Sequence, residues 1–144
     1  MSTSSTPIRR SPTHLWVVAI LTLLWNGSGA YTIVMAQAGR LSDVDANEAA
    51  YYAAQPSWFV IATDIALLLP LAAAVALLLR SRNAAWLFAL SLIVFVVNNV
   101  YDIAAGTSLA VVDRGWLLTT VLIAVISVLQ FVYAWVMKQR VVLR

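Results

Sequence analysis

The stretch Ile65-Ala66-Leu67-Leu68-Leu69-Pro70-Leu71-Ala72-Ala73-Ala74-Val75-Ala76-Leu77-Leu78-Leu79, closed by Arg80-Ser81-Arg82-Asn83, decides the fold. Extended back to Ser57, with Asp64 as its one charge, it supplies the about 20 apolar residues that a helix needs to cross a bilayer. Pro70 stands near its middle, where a spanning helix tolerates proline if its neighbours satisfy the freed backbone groups. The short basic turn at 80–83 must reverse the chain into a second apolar segment, about 84–105. Two more such segments lie at about 15–35 and 116–137. The expected fold is an all-α membrane protein, a four-transmembrane-helix bundle with a short interfacial helix between the first two spans.

Composition agrees. The chain has 144 residues, 62% hydrophobic and 10% charged, where soluble domains average about 25% charged. Four spans leave no room for a separate soluble domain. The net charge of +3 comes from residues at segment ends, which reads as membrane topology and not as a nucleic-acid footprint. The sequence has no cysteine, which excludes disulfides, thiolate catalysis and zinc–cysteine sites. The one histidine, His14, precedes the first span and reads as an interfacial residue.

Residues 1–13 are small, polar and proline-broken and have nothing to bury, which predicts a disordered tail. Arg9-Arg10, the run Leu15 to Leu24 and Ser28-Gly29-Ala30 together admit a second reading, a signal peptide cleaved after Ala30. Against it, Tyr31 to Met35 continues the apolar pattern to spanning length. In the loop that follows, Ser42 and Asp45 form a weak capping box, and 43–54 reads as a helix on the membrane surface ended by Pro56. Tyr51, Tyr52 and Trp58 suit the headgroup region. Residues 139–144 read as a short cytoplasmic tail beyond Lys138.

Arg9, Arg10, Arg80, Arg82, Lys138, Arg140 and Arg144 fall on one side of this arrangement; only Arg40 and Arg114 fall on the other. The excess of Lys and Arg on the first side places both termini in the cytoplasm of a multi-pass protein of the bacterial inner membrane. Trp16, Trp58, Trp86, Trp116 and Trp135 all sit at span ends, as interfacial tryptophans do.

The spans also carry polar groups that are costly in hydrocarbon and need a partner or a wet cavity. Phe95-Val96-Val97-Asn98-Asn99-Val100-Tyr101-Asp102 holds four of them, Asn26 and Tyr31 lie in the first span, and Asp64 lies about 10 Å inside the second. Ser91, Phe95, Asn98 and Asp102 share one helical face, as do Thr22, Asn26 and Gly29. Gly27, Gly29 and Ala30 would let another helix approach closely. The fourth span adds Thr119, Thr120, Ser127 and Gln130. Asn26, Tyr31, Asp64, Asn98, Asn99, Tyr101 and Asp102 are therefore the candidate ligand-binding residues of a pocket in the outer half of the bundle.

Two roles compete for these groups. In one, they hold the helices together through hydrogen bonds, with Asp64 and Asp102 paired to Arg40 and Arg114. In the other, the pocket binds a cation, amine or proton through its carboxylates, or a polyol or lipid headgroup through its asparagines and aromatic rings. No nucleophile motif, metal-ligand cluster, phosphate-cradling loop or haem-ligand pair is present, so no catalytic residue, metal or cofactor is expected. A single copy makes a poor channel, because the inner half lacks a polar lining.

Trp25-Asn26-Gly27-Ser28-Gly29-Ala30, Tyr52 to Pro56 with Trp58, and Leu77-Leu78-Leu79-Arg80-Ser81-Arg82 together resemble a group of small bacterial four-span membrane proteins of unestablished activity, often labelled "sugar transporter". The resemblance covers the membrane portion and implies four spans with an uncleaved first helix. Asn98, Asn99 and Asp102 fall outside its pattern. The sequence thus points to an accessory or interaction protein with a pocket open to the periplasm. The alternative is a small-solute transporter, for a sugar-like, amine or cationic solute, acting as an oligomer. Beyond the lipid bilayer, the expected partners are a second copy or a larger membrane complex, and not nucleic acid.

Overall fold

A computed structural model describes residues 13–40, 46–106, 114–140 and 142–143. Five helices account for nearly all of them: α1 (Thr13–Gln37), α2 (Ala46–Ala54), α3 (Ser57–Leu78), α4 (Asn83–Ala104) and α5 (Arg114–Gln139). The described residues contain no strand. All but α2 are long and apolar enough to cross a membrane, and their limits lie within two residues of those expected. Large apolar side chains such as Leu24, Leu68, Leu118 and Leu129 remain exposed on the bundle exterior, as lipid-facing residues must. The capping box at Ser42 and Asp45, and residues 1–12 of the tail expected at 1–13, lie outside the described residues, while Thr13 already belongs to α1.

The helices end where backbone chemistry dictates. Gly39 takes φ +64 after α1; its N–H bonds Ala36 O and that of Arg40 bonds Met35 O. This paired closure needs a left-handed residue, and glycine adopts it without steric cost. Gly106 does the same after α4, with φ +68. After α3 the left-handed position is taken by Arg80 at φ 58, with Arg80 N–H on Leu77 O and Ser81 N–H on Ala76 O. A non-glycine residue there costs about 1–2 kcal/mol.

Arg80 is held by what its side chain does. Its guanidinium Nε and Nη2 both donate to Val142 O, at 3.2 and 3.1 Å, and Arg82 Nε donates to Leu143 O at 3.3 Å. The chain after α5 therefore turns back under the bundle, with Val142 and Leu143 buried. The two apolar residues fill the closed end, and the arginines of the α3–α4 turn satisfy the carbonyls of this returning chain.

In the bundle, α3 packs between α1 and α4, and α5 packs on α4. The α3–α4 contact is built on small side chains, with Ala73, Ala74, Ala84 and Ala85 fully buried, which lets two backbones approach. At the end that carries Thr13 and the α3–α4 turn, a continuous core joins Leu15, Leu77, Phe88, Ala134, Met137 and Leu143. His14 Nδ1 and Tyr133 Oη, 2.7 Å apart, tie α1 to α5 there. Lys138 Nζ lies 4.4 Å from the Trp86 ring centre and 5.0 Å from that of Trp135. That is within reach of a cation–π contact and places a snorkelling lysine beside two interfacial tryptophans.

Candidate functional site

At the opposite end the helices separate around a cavity of about 250 Å³. One face of each spanning helix lines it. Helix α3 gives Phe59, Thr63, Ala66, Leu67 and Pro70, and α4 gives Ser91, Phe95, Asn98, Asn99 and Asp102. Helix α5 gives Trp116, Thr120, Ile123 and Ser127, and α1 gives Asn26, Ile33 and Gln37. These are the three- and four-residue steps of a helical face. Tyr51, Tyr52 and Gln55 of the α2 segment cover the mouth. From Asp102 to Ser91 the cavity extends about 16 Å along α4 at the helical rise. It stops near mid-bundle, above the closed core.

Asn26, Asn98, Asn99 and Asp102, all expected at the site, meet in this cavity. Asp102 is the buried charge among them. Tyr51 Oη donates to its Oδ2 at 2.8 Å. Burial pushes the Tyr51 hydroxyl well above its ordinary range, reinforced by the hydrogen bond to Asp102 and by its charge, while Gln55 pulls the other way. The phenol therefore stays protonated and works as a donor. Burial, then the charge of Glu48, raises Tyr52 as well.

The asparagines are fixed in two ways. Asn26 Nδ2 donates to Thr22 O and Asn99 Nδ2 to Phe95 O, each at 2.8 Å and one turn back along its own helix. Asn98 Nδ2 reaches across to Thr63 Oγ1 at 3.4 Å. Lower down, Ser91 Oγ donates to Ala66 O, also at 3.4 Å. Two cavity-lining groups, Gln37 Nε2 and Gln55 Oε1, are buried with no hydrogen-bond partner among the described residues.

Tyr31, Asp64 and Tyr101 are placed elsewhere. Tyr31 is 65% exposed on the outside of α1. Asp64 follows Thr63 by one residue, so its side chain leaves α3 about 100° away from the lining face; its Oδ1 is buried without a partner among the described residues. Tyr101 precedes Asp102 by one residue and turns onto α3, its ring centre 4.5 Å from Trp58 and 5.2 Å from Phe59. Arg40 is exposed beyond the end of α1 and makes no ion pair with Asp64 or Asp102. The Arg114 side chain lies outside the described residues. Gly29 faces open space, and a Cβ on Gly27 would meet Leu71 at an ordinary 3.9 Å, so the glycines of α1 do not mediate a close helix approach within this chain. Thr119 is exposed, and the buried Gln130 does not line the cavity.

Tyr51, Tyr52, Gln37, Gln55 and Trp116 line the site without having been singled out for it. Both tyrosines have the composition of headgroup anchors, and only the placement of α2 across the mouth turns them inward. Thr63 had a visible signal, since Phe59, Thr63, Ala66 and Pro70 keep helical spacing. The described residues contain no group of three or more His, Cys, Asp or Glu able to hold a metal ion. The arrangement can bind: it offers one carboxylate, amide oxygens, hydroxyls and aromatic faces around a space with largely apolar walls. Compared with protein-family models, curated proteins and solved structures, the chain matches none.

Proposed function

We propose that this is a multi-pass protein of the bacterial inner membrane, both termini cytoplasmic, which acts without catalysis as an accessory or interaction protein. Its cavity faces the periplasm and binds a small solute. The observation that carries this reading is the asymmetry of the bundle. A polar-mouthed cavity enters from the α2 end and stops near mid-bundle, while a packed core fills the other end. A dead-end pocket suits binding better than conduction. The orientation rests on the Lys and Arg excess at the terminal end.

The second reading, a small-solute transporter acting as an oligomer, is favoured by Pro70. It sits where the cavity stops and lacks the N–H that would hold α3 straight there. A change in α3 at this level would open the floor.

The cysteine-free chain makes the test direct. Single substitutions Q55C, T120C, F88C and R82C are exposed to a membrane-impermeant maleimide in right-side-out and inverted vesicles. Q55C and T120C are expected to react from the periplasmic side, R82C only in inverted vesicles, and F88C in neither. Reaction of T120C only from the cytoplasmic side, or not at all, sinks the reading. Solute uptake into proteoliposomes, lost on P70A, would move the assignment to the transporter.

A further inference from the structure

We infer that the cavity takes a small protonated amine carrying an apolar body. This rests on the binding-pocket reading above and names its ligand class. The first ground is charge. Among the described residues that line the cavity, Asp102 is the one acidic side chain and none is a lysine, arginine or histidine, so an occupant that brings a positive charge gains and an anion is repelled. The second is the balance of hydrogen-bonding groups. Asn26 and Asn99 each turn their amide nitrogen back onto their own helix, which leaves Oδ1 and a second N–H to each. Gln55 Oε1 is buried with no partner among the described residues. Near the mouth, Asp102 and Gln55 Oε1 offer acceptors beside the buried donor Gln37 Nε2. An ammonium group has three N–H donors and no acceptor, which complements a carboxylate and an amide oxygen.

The third ground is the wall. Tyr52, Phe59, Phe95 and Trp116 present aromatic rings, which attract cations through their faces. Toward the floor, Leu67 and Ile123 suit a hydrocarbon or aromatic body. A hard metal ion is a poor match, because such ions collect six or more oxygens, several of them carboxylates. The volume lies a little below the about 300 Å³ at which drug-sized sites begin, so the amine is small.

The test uses the full chain in detergent with T120C labelling as readout and 2-phenylethylammonium, 2-phenylethanol and glucose as probes. The alcohol has the shape of the amine without its charge. At millimolar concentration the amine is expected to slow T120C labelling at least tenfold and to raise the wild-type Tm by several degrees, with neither effect from the alcohol or glucose. D102N is expected to abolish the Tm shift. Equal protection by the alcohol or glucose overturns the cation inference and leaves the pocket standing. The same holds if T120C reacts and nothing protects it, or if D102N keeps the full amine effect. Failure of T120C to react at all removes the pocket and the inference with it. The comparison of amine with alcohol needs no Asp102 variant, so it decides even if D102N does not fold.

Discussion

Ser91 of α4 donates its hydroxyl to the carbonyl of Ala66 in α3, at 3.4 Å. Ala66 lies four residues before Pro70, so its carbonyl is the one that loses a helical N–H donor to the proline. The bond is long, but it answers an acceptor that lipid would otherwise leave bare. S91A is therefore expected to cost about 0.6 kcal/mol, the average for interhelical hydrogen bonds in membranes. In a P70A background, where the Ala66 carbonyl regains its own donor, S91A should cost nothing. A double-mutant cycle by thermal unfolding in detergent measures this coupling; equal costs in both backgrounds would disprove it.

Tyr51 and Asp102 latch α2 across the cavity mouth. Y51F should destabilise the protein by about 1.5–3 kcal/mol, the range for a hydrogen bond to a charged group. The pH dependence follows from the raised hydroxyls. A tyrosine whose folded pKa exceeds its unfolded value contributes stability that is complete below about pH 10 and is lost as pH rises beyond it. Tyr51 and Tyr52 both shift upward. Tm should be flat with respect to these groups from pH 7 to about 9.5 and fall above about 10, with a shallower fall in Y51F because only Tyr52 remains. A fall of the same depth in Y51F would place the alkaline loss elsewhere.

Asp64 and Asp102 looked alike as a pair of intramembrane carboxylates, and they are not. Asp102 accepts a hydrogen bond in the cavity, while Asp64 carries an oxygen with no partner among the described residues. A buried carboxylate oxygen without a partner costs stability, and replacing the carboxylate by an amide removes part of that cost. D64N is expected to raise Tm and D102N to lower it, and neither the cavity nor T120C labelling should change in D64N. A lower Tm for D64N would mean that its carboxylate has a partner in the membrane-embedded protein.

Much of the fold could be read from hydropathy because lipid imposes a one-dimensional rule: each span must be apolar over its whole length. The cavity face of α4 was equally legible, since Ser91, Phe95, Asn98 and Asp102 share a stripe. The failures occur one residue off a stripe. Asp64 and Tyr101 are polar and at the right depth, yet a step of 100° turns them away from the cavity, and depth alone says nothing of rotation. The roof from α2 and the return of Val142 and Leu143 depend on tertiary contacts, Tyr51 with Asp102 and Arg80 with Val142, which have no periodic signature.

Arg80 combines a strained backbone with a side chain that closes the terminal end, and the two roles separate by substitution. R80G keeps the left-handed turn at no steric cost and loses the bonds to Val142 O. R80A loses the same bonds and must also force a Cβ into φ 58, worth about 1–2 kcal/mol more. The expected order of Tm is wild type, then R80G, then R80A, with R82A milder because its one bond to Leu143 O is longer, at 3.3 Å. Deleting residues 142–144 should lower the wild-type Tm by removing the buried Val142 and Leu143. It should lower that of R80G much less, since that variant has already lost the anchor. A deletion equally harmful in both would mean that burial of the two side chains, and not the guanidinium, seats the chain under the bundle.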